Sequence, residues 1–246
     1  MEQQGKNKIK KMKKGKFFVL EGMDGSGKAT QTRLLVEALR KKGYQVEKVD
    51  FPQYGKGSAA LLETYLNGGY GTAEEVGPYR GSVFYACDRY DASFKLRQWI
   101  AEGKIVIADR YIASNIGHQG AKVIANKKEW NAYIDWLHNL EFNIFKIPKP
   151  DYTLILKISP DLSMKVSSNT KNKEKKQKRI LYLGDSKAKD IHEADRNHLA
   201  NTLKSYIAIS KKLPKDYKIV ECEEKGNFLP IDLIHKKIIK LLGEKI

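Results

Sequence analysis

At 246 residues, with 41% hydrophobic and 10% aromatic side chains, the chain is long enough to bury a sizeable core and too apolar to be mostly disordered. No apolar run approaches a membrane span, and the basic start MEQQGKNKIKKMKKGK lacks a secretory h-region or a transit-peptide pattern, so a cytoplasmic protein is expected. The formal charge of +17 invites a nucleic-acid partner, but much of it sits in Lys6 to Lys16 and Lys165 to Arg179, without the interleaved aromatics of a single-strand binder.

In chain order, residues 1–15 read as a basic disordered tail and 16–246 as one domain. Phe17 to Leu20 is a short buried strand running into a glycine-rich turn. Ala29 to Lys42 then spaces Leu34, Leu35, Ala38 and Leu39 on one helical face until Gly43 stops it. Further strands are predicted at Gln45 to Asp50, Ile105 to Asp109, Tyr152 to Ile158 and Tyr217 to Val220. Helices are predicted at about Ala59 to Leu66, Glu74 to Ala101, Glu129 to Leu140, Asp190 to Leu213 and Pro230 to Leu242. Apolar strands alternating with helices define an α/β fold: a doubly wound, five-stranded parallel sheet with helices on both faces. Lys165 to Arg179 fits no element, because Glu174 stands alone among seven basic residues, and it marks a mobile lid over about 165–187. Cys87 and Cys222 stand apart, with no partner at metal-ligand spacing, and read as reduced thiols.

The turn after the first strand is Gly22-Met23-Asp24-Gly25-Ser26-Gly27-Lys28, a P-loop in its required strand-to-helix setting. Its glycines let backbone N–H groups converge on the phosphates of a nucleoside triphosphate, the helix N-terminus adds partial positive charge, and Lys28 reaches the terminal phosphates. The position after Lys28 is Ala29, not the usual Ser or Thr that binds magnesium, so Thr30 or Asp24 must substitute. A second constellation, Asp109-Arg110-Tyr111, ends the most apolar strand and would face the same crevice. There Asp109 suits a magnesium-bound water and Arg110 an acceptor phosphate.

Taken together, EGMDGSGKATQ, FPQYG (51–55), YACDR (85–89), DRYIASN (109–115), PKPD (148–151) and DIHEAD (190–195) occur in an order that resembles the thymidylate kinases, over about 16–213. The resemblance implies phosphoryl transfer from ATP to dTMP, a magnesium cofactor and a homodimer. It implies that Tyr85 stacks on thymine, that Arg89 bonds the base edge, that Ser114 and Asn115 line the base site, and that Arg110 and Tyr54 grip the monophosphate beside Asp24. Phe51 would close the pocket, although core packing explains it nearly as well. His118 stands where the family usually has Tyr or Phe against the deoxyribose. Asp190 and Glu193 share a helix face and would approach the site with the lid, Asp190 toward the acceptor and Glu193 toward the metal. Some family members carry an arginine inside the P-loop, where this chain has Gly25. The transition-state cation would therefore come from the lid, with Lys178 and Arg179 nearest the following helix. Four other readings stay open: a nucleic-acid-binding P-loop protein, a catalytically dead nucleotide sensor, a deoxyribonucleoside kinase and another pyrimidine monophosphate kinase.

Overall fold

The computed structural model describes residues 14–169 and 196–243. Five parallel strands, β1 (Lys16–Glu21), β2 (Val46–Asp50), β3 (Ile105–Asp109), β4 (Tyr152–Lys157) and β5 (Tyr217–Glu221), lie in the order β2-β3-β1-β4-β5. The central strands are largely apolar between their ends because helices cover both faces, and Val106, Ile107, Ala108, Val19 and Leu154 are fully buried. Helix α1 (Lys28–Lys41) packs on β1, β2 and β3 and against the C-terminal helix α8 (Ile231–Gly243). A second group centres on α3 (Ala73–Ala101) and α7 (Arg196–Lys212), which pack on β3 and β5, with α4 (Ile112–His118) against both and α5 (Lys127–His138) against α3. The short α2 (Ala60–Leu66) joins α3, and α6 (Pro160–Asn169) follows β4.

All five expected strands are present, and the register pairs Leu20 with Asp109, which sets the ends of β1 and β3 side by side. Sequence reading overlooked α4 and α6. Residues 165–169, expected in the lid, continue α6, whose start carries the Pro and Asp that favour a helix N-terminus. The remainder of the expected lid, the expected start of the helix at Asp190, and residues 1–13 of the tail lie outside the described residues. Gly15 already belongs to the fold, its N–H donating to Ile100 O at 3.0 Å. Helix α3 is capped by a Thr72/Glu75 box and breaks at Gly77-Pro78, where Gly77 has φ 72°. Helix α5 begins earlier than expected because Asn126 caps it, accepting from Lys128 N and Glu129 N at 3.0 and 3.2 Å. It then widens into a π-helical segment, Asn139–Ile144, that turns Glu141 into the core.

Candidate active site

Glu21, the last residue of β1, organises the crevice. Fully buried, it accepts from Gly22 N (3.1 Å), Tyr111 N (3.2 Å), Ser114 Oγ (2.8 Å) and Tyr206 OH (3.3 Å), and meets Arg110 Nη1 at 3.5 Å. One carboxylate therefore ties the P-loop, the Asp109-Arg110-Tyr111 turn, α4 and α7 together. Sequence reading passed over it. The available signal was a charged residue closing an apolar strand, where an unpaired carboxylate would be too costly to bury.

Arg110 projects into the mouth of the P-loop. Its Nη2 donates to Asp24 Oδ1 at 2.9 Å, while Nη1 donates to Ser114 Oγ at 3.1 Å and Gly22 O at 3.3 Å. Burial works against the charge, but Asp24 and Glu21 outweigh it and hold the guanidinium well above its ordinary value. Its backbone has φ 71°, a left-handed conformation that costs a non-glycine residue about 1–2 kcal/mol and is typical of functional turns. Ser114, expected at the base, braces Arg110 and Glu21.

In the P-loop, Lys28 is 7% exposed and its ammonium donates to Gly22 O and Met23 O, both at 2.9 Å. Burial, then the charge of Arg110, lowers its pKa to about 8. Two cations thus share a crevice that a polyanion would neutralise. Gly27 precedes α1 with no side-chain cap, leaving the first-turn N–H groups around Lys28, Ala29 and Thr30 for phosphate oxygens. Ser26 Oγ is buried without a hydrogen-bond partner among the described residues. Gly25 has φ +77°, and a Cβ there would sit 3.1 Å from Val166 Cβ and 3.3 Å from Ser163 O of α6. Ser163 Oγ also donates to Asp24 O at 2.6 Å, so α6 buttresses the loop and would have to give way slightly to admit a side chain at 25.

Magnesium would need oxygen ligands here. Asp109 lies at the end of β3, its pKa raised by burial and pulled back by Lys28 and Arg110, a carboxylate that a nearby cation would stabilise. By donor type Asp109, Asp24 and the hydroxyls of Ser26 and Thr30 suit a hard cation, while among the described residues no three or more His, Cys, Asp or Glu side chains gather to hold a metal ion. Glu193, Asp190, Lys178 and Arg179 lie outside the described residues.

On the acceptor side, Tyr85 and Tyr54 are half-buried and pack with Phe84 on Leu62, Tyr65, Leu66 and Val76. Asn115 is 1% exposed; its Nδ2 donates to Ser82 O at 3.2 Å, and its Oδ1 is a buried acceptor without a partner among the described residues. His118 stacks on His198 of α7, with ring centroids 5.9 Å apart and planes at 24°, and meets Tyr206 edge-on. Gly117 permits this, since a Cβ there would fall 2.5 Å from Tyr206 Cζ. Phe51 is core, 6% exposed and tilted against Tyr111.

Arg89 lies in the core. It is 1% exposed, with Nε donating to Glu141 Oε2 at 2.7 Å and Nη2 to Glu141 Oε1, a two-point pair in which both partners are buried. Burial works against its charge and Glu141 outweighs that, so the observed role of Arg89 is a core ion pair. The partner Glu141 lies in the π-helical segment and carried no motif to reveal it.

A parallel sheet with a P-loop after β1 and an arginine-bearing turn after β3 defines a P-loop phosphotransferase of the nucleoside monophosphate kinase class. The profile of the thymidylate kinase family matches residues 20–213, and the chain belongs to that family. A thymidylate kinase of Mycobacterium tuberculosis is 33% identical over 149 residues, 60% of this chain and 68% of its own length. A probable thymidylate kinase of Thermococcus kodakarensis is 30% identical over 231 residues, 92% of this chain and 96% of its own. A solved thymidylate kinase of Candida albicans shares the fold with a TM-score of 0.67 at 23% identity, over 94% of this chain and 92% of that one.

Proposed function

We infer that this chain transfers the γ-phosphoryl group of ATP to dTMP, giving dTDP and ADP. The observation that carries the reading is Arg110, fixed between Glu21 and Asp24 at the mouth of the P-loop, where it would meet an acceptor that is itself an anion. Arg110 and Tyr54 would hold the acceptor phosphate, and Lys28 with the open N–H groups of α1 would hold the donor. In-line transfer then needs little beyond position and charge neutralisation. Asn115 Oδ1, a buried acceptor short of a donor among the described residues, suits the ring N–H of thymine, and Tyr85 would stack on the base. His118 would fill the space next to the sugar. Magnesium, held by Asp24, Asp109 and Glu193 with Thr30 replacing the hydroxyl absent at Ala29, would supply charge neutralisation between the phosphates. Arg179 would bring the cation that Gly25 cannot.

The deoxyribonucleoside kinase alternative needs a carboxylate to take a proton from a hydroxyl. Glu21, the buried carboxylate behind Arg110, already accepts from its surroundings at both oxygens, which argues against that role. The deciding experiment is an acceptor screen with ATP and magnesium: dTMP should be phosphorylated far faster than thymidine or the ribonucleoside monophosphates. Preference for thymidine would overturn the reading. A homodimer is part of the proposal, supported by Phe94 and Ile144, 58% and 61% exposed, beside Tyr90 and Phe145 on α3 and the π-helical segment. Light scattering on the purified chain tests it. Use of ATP and a nucleotide pool suits a cytoplasmic setting.

A further inference from the structure

The acceptor-side loop Phe51 to Gly55 is held at three points, one of them Gly55 N, which donates to Glu63 Oε1 of α2 at 2.7 Å. On the sheet side, Phe51 N donates to Asp109 O at 3.0 Å. On the helix side it meets Asp88 of α3, which is 1% exposed. Asp88 Oδ2 accepts from Gln53 N at 2.9 Å and Oδ1 from Ser58 Oγ at 2.9 Å, so one carboxylate clasps both the loop and the helical turn Gly57–Ala59 that follows it. The outer side of the loop offers little packing. Pro52, Gln53 and Tyr54 border an open cleft of about 460 Å³, whose far walls are Lys48 to Asp50 of β2 and Leu96 and Trp99 of α3.

We propose that Asp88 is a positioning residue for the acceptor: its clasp on Gln53 and Ser58 sets Tyr54 opposite Tyr85 and thereby determines the affinity for thymidylate. Asp88 itself touches no reacting group. Its burial raises its pKa, and the hydrogen bonds from Gln53 and Ser58 offset that cost, which is the pattern of a carboxylate retained for its two acceptor atoms. Among the described residues the hydrogen bonds of Asp88 run to Gln53 and Ser58 and none to the P-loop, so donor binding should not depend on the clasp.

The proposal rests on the acceptor-site reading given above. The experiment measures KM for thymidylate and for ATP in Asp88→Ala, Asp88→Asn and Ser58→Ala. Asp88→Ala should raise the thymidylate KM about tenfold, as loss of hydrogen bonds to a charged group would, and leave the ATP KM within about twofold. Asp88→Asn should restore most of the loss, because its carbonyl oxygen still accepts from Gln53 N while its amide donates to the Ser58 hydroxyl. Ser58→Ala, a half-buried position that removes one bond without unfolding the helix, should give a smaller rise in the same direction. Parallel rises in both KM values, an unchanged thymidylate KM in Ser58→Ala, or an Asparagine variant as impaired as the alanine one would each overturn the proposal. A wild-type chain inactive on thymidylate would instead fail the acceptor-site reading itself.

Discussion

Replacing Arg89 by Ala removes the only side-chain hydrogen-bond partner, among the described residues, of the buried Glu141 carboxylate. Glu141 is 0% exposed and receives two hydrogen bonds from Arg89, so the variant would leave an uncompensated charge inside the protein. Breaking such a pair from one side costs about 3–5 kcal/mol, a large share of the about 5–15 kcal/mol that holds a domain folded. Urea unfolding followed by circular dichroism should show the midpoint falling sharply at unchanged slope. Replacing both partners, as Arg89→Met with Glu141→Leu, should recover most of the loss, because an apolar pair of similar volume removes the stranded charge. A stable Arg89→Ala chain whose thymidylate KM alone rises would refute this account and return Arg89 to the base edge. A double variant no better than the single one would show that shape, not charge, governs the site.

Three further outcomes follow from the P-loop and the helix ends. Because the free-enzyme pKa of Lys28 is about 8 and bound phosphates would raise it, ATP binding near pH 9 should take up close to one proton, as read by calorimetry in buffers of different ionisation enthalpy. Lys28→Met should abolish that uptake together with turnover. His138, whose pKa burial and then Lys149 depress from 6.5 to about 4, is held neutral in the fold, so the unfolded chain binds the proton first as pH falls. Stability should therefore decline from pH 6.5 through 4 by up to about 3 kcal/mol, and a His138→Gln variant should lack that part of the slope in acid titrations of unfolding. Gly25→Arg forces a side chain against Val166 and Ser163 at φ +77°, so it should lower the melting temperature and weaken ATP protection against heat. An unimpaired variant would mean that α6 yields easily.

The strands, the P-loop and the Asp109-Arg110-Tyr111 turn were legible in the sequence because each is local. A run of apolar residues, glycines at fixed spacing and a helix start are encoded within about a dozen neighbouring positions. The order of motifs along the chain carried the family. Tertiary structure alone decided which charges meet. Glu141 lies 52 residues from Arg89, and Asp88 lies 35 from Gln53 and 30 from Ser58, separations over which no periodicity operates. It also decided that Glu21, one acid among many in the sequence, is the one desolvated enough to be paired by five groups from four segments. A buried charge is stable only where donors converge on it, and that convergence is a property of packed elements. The sequence names the charged residues, while the fold chooses their partners.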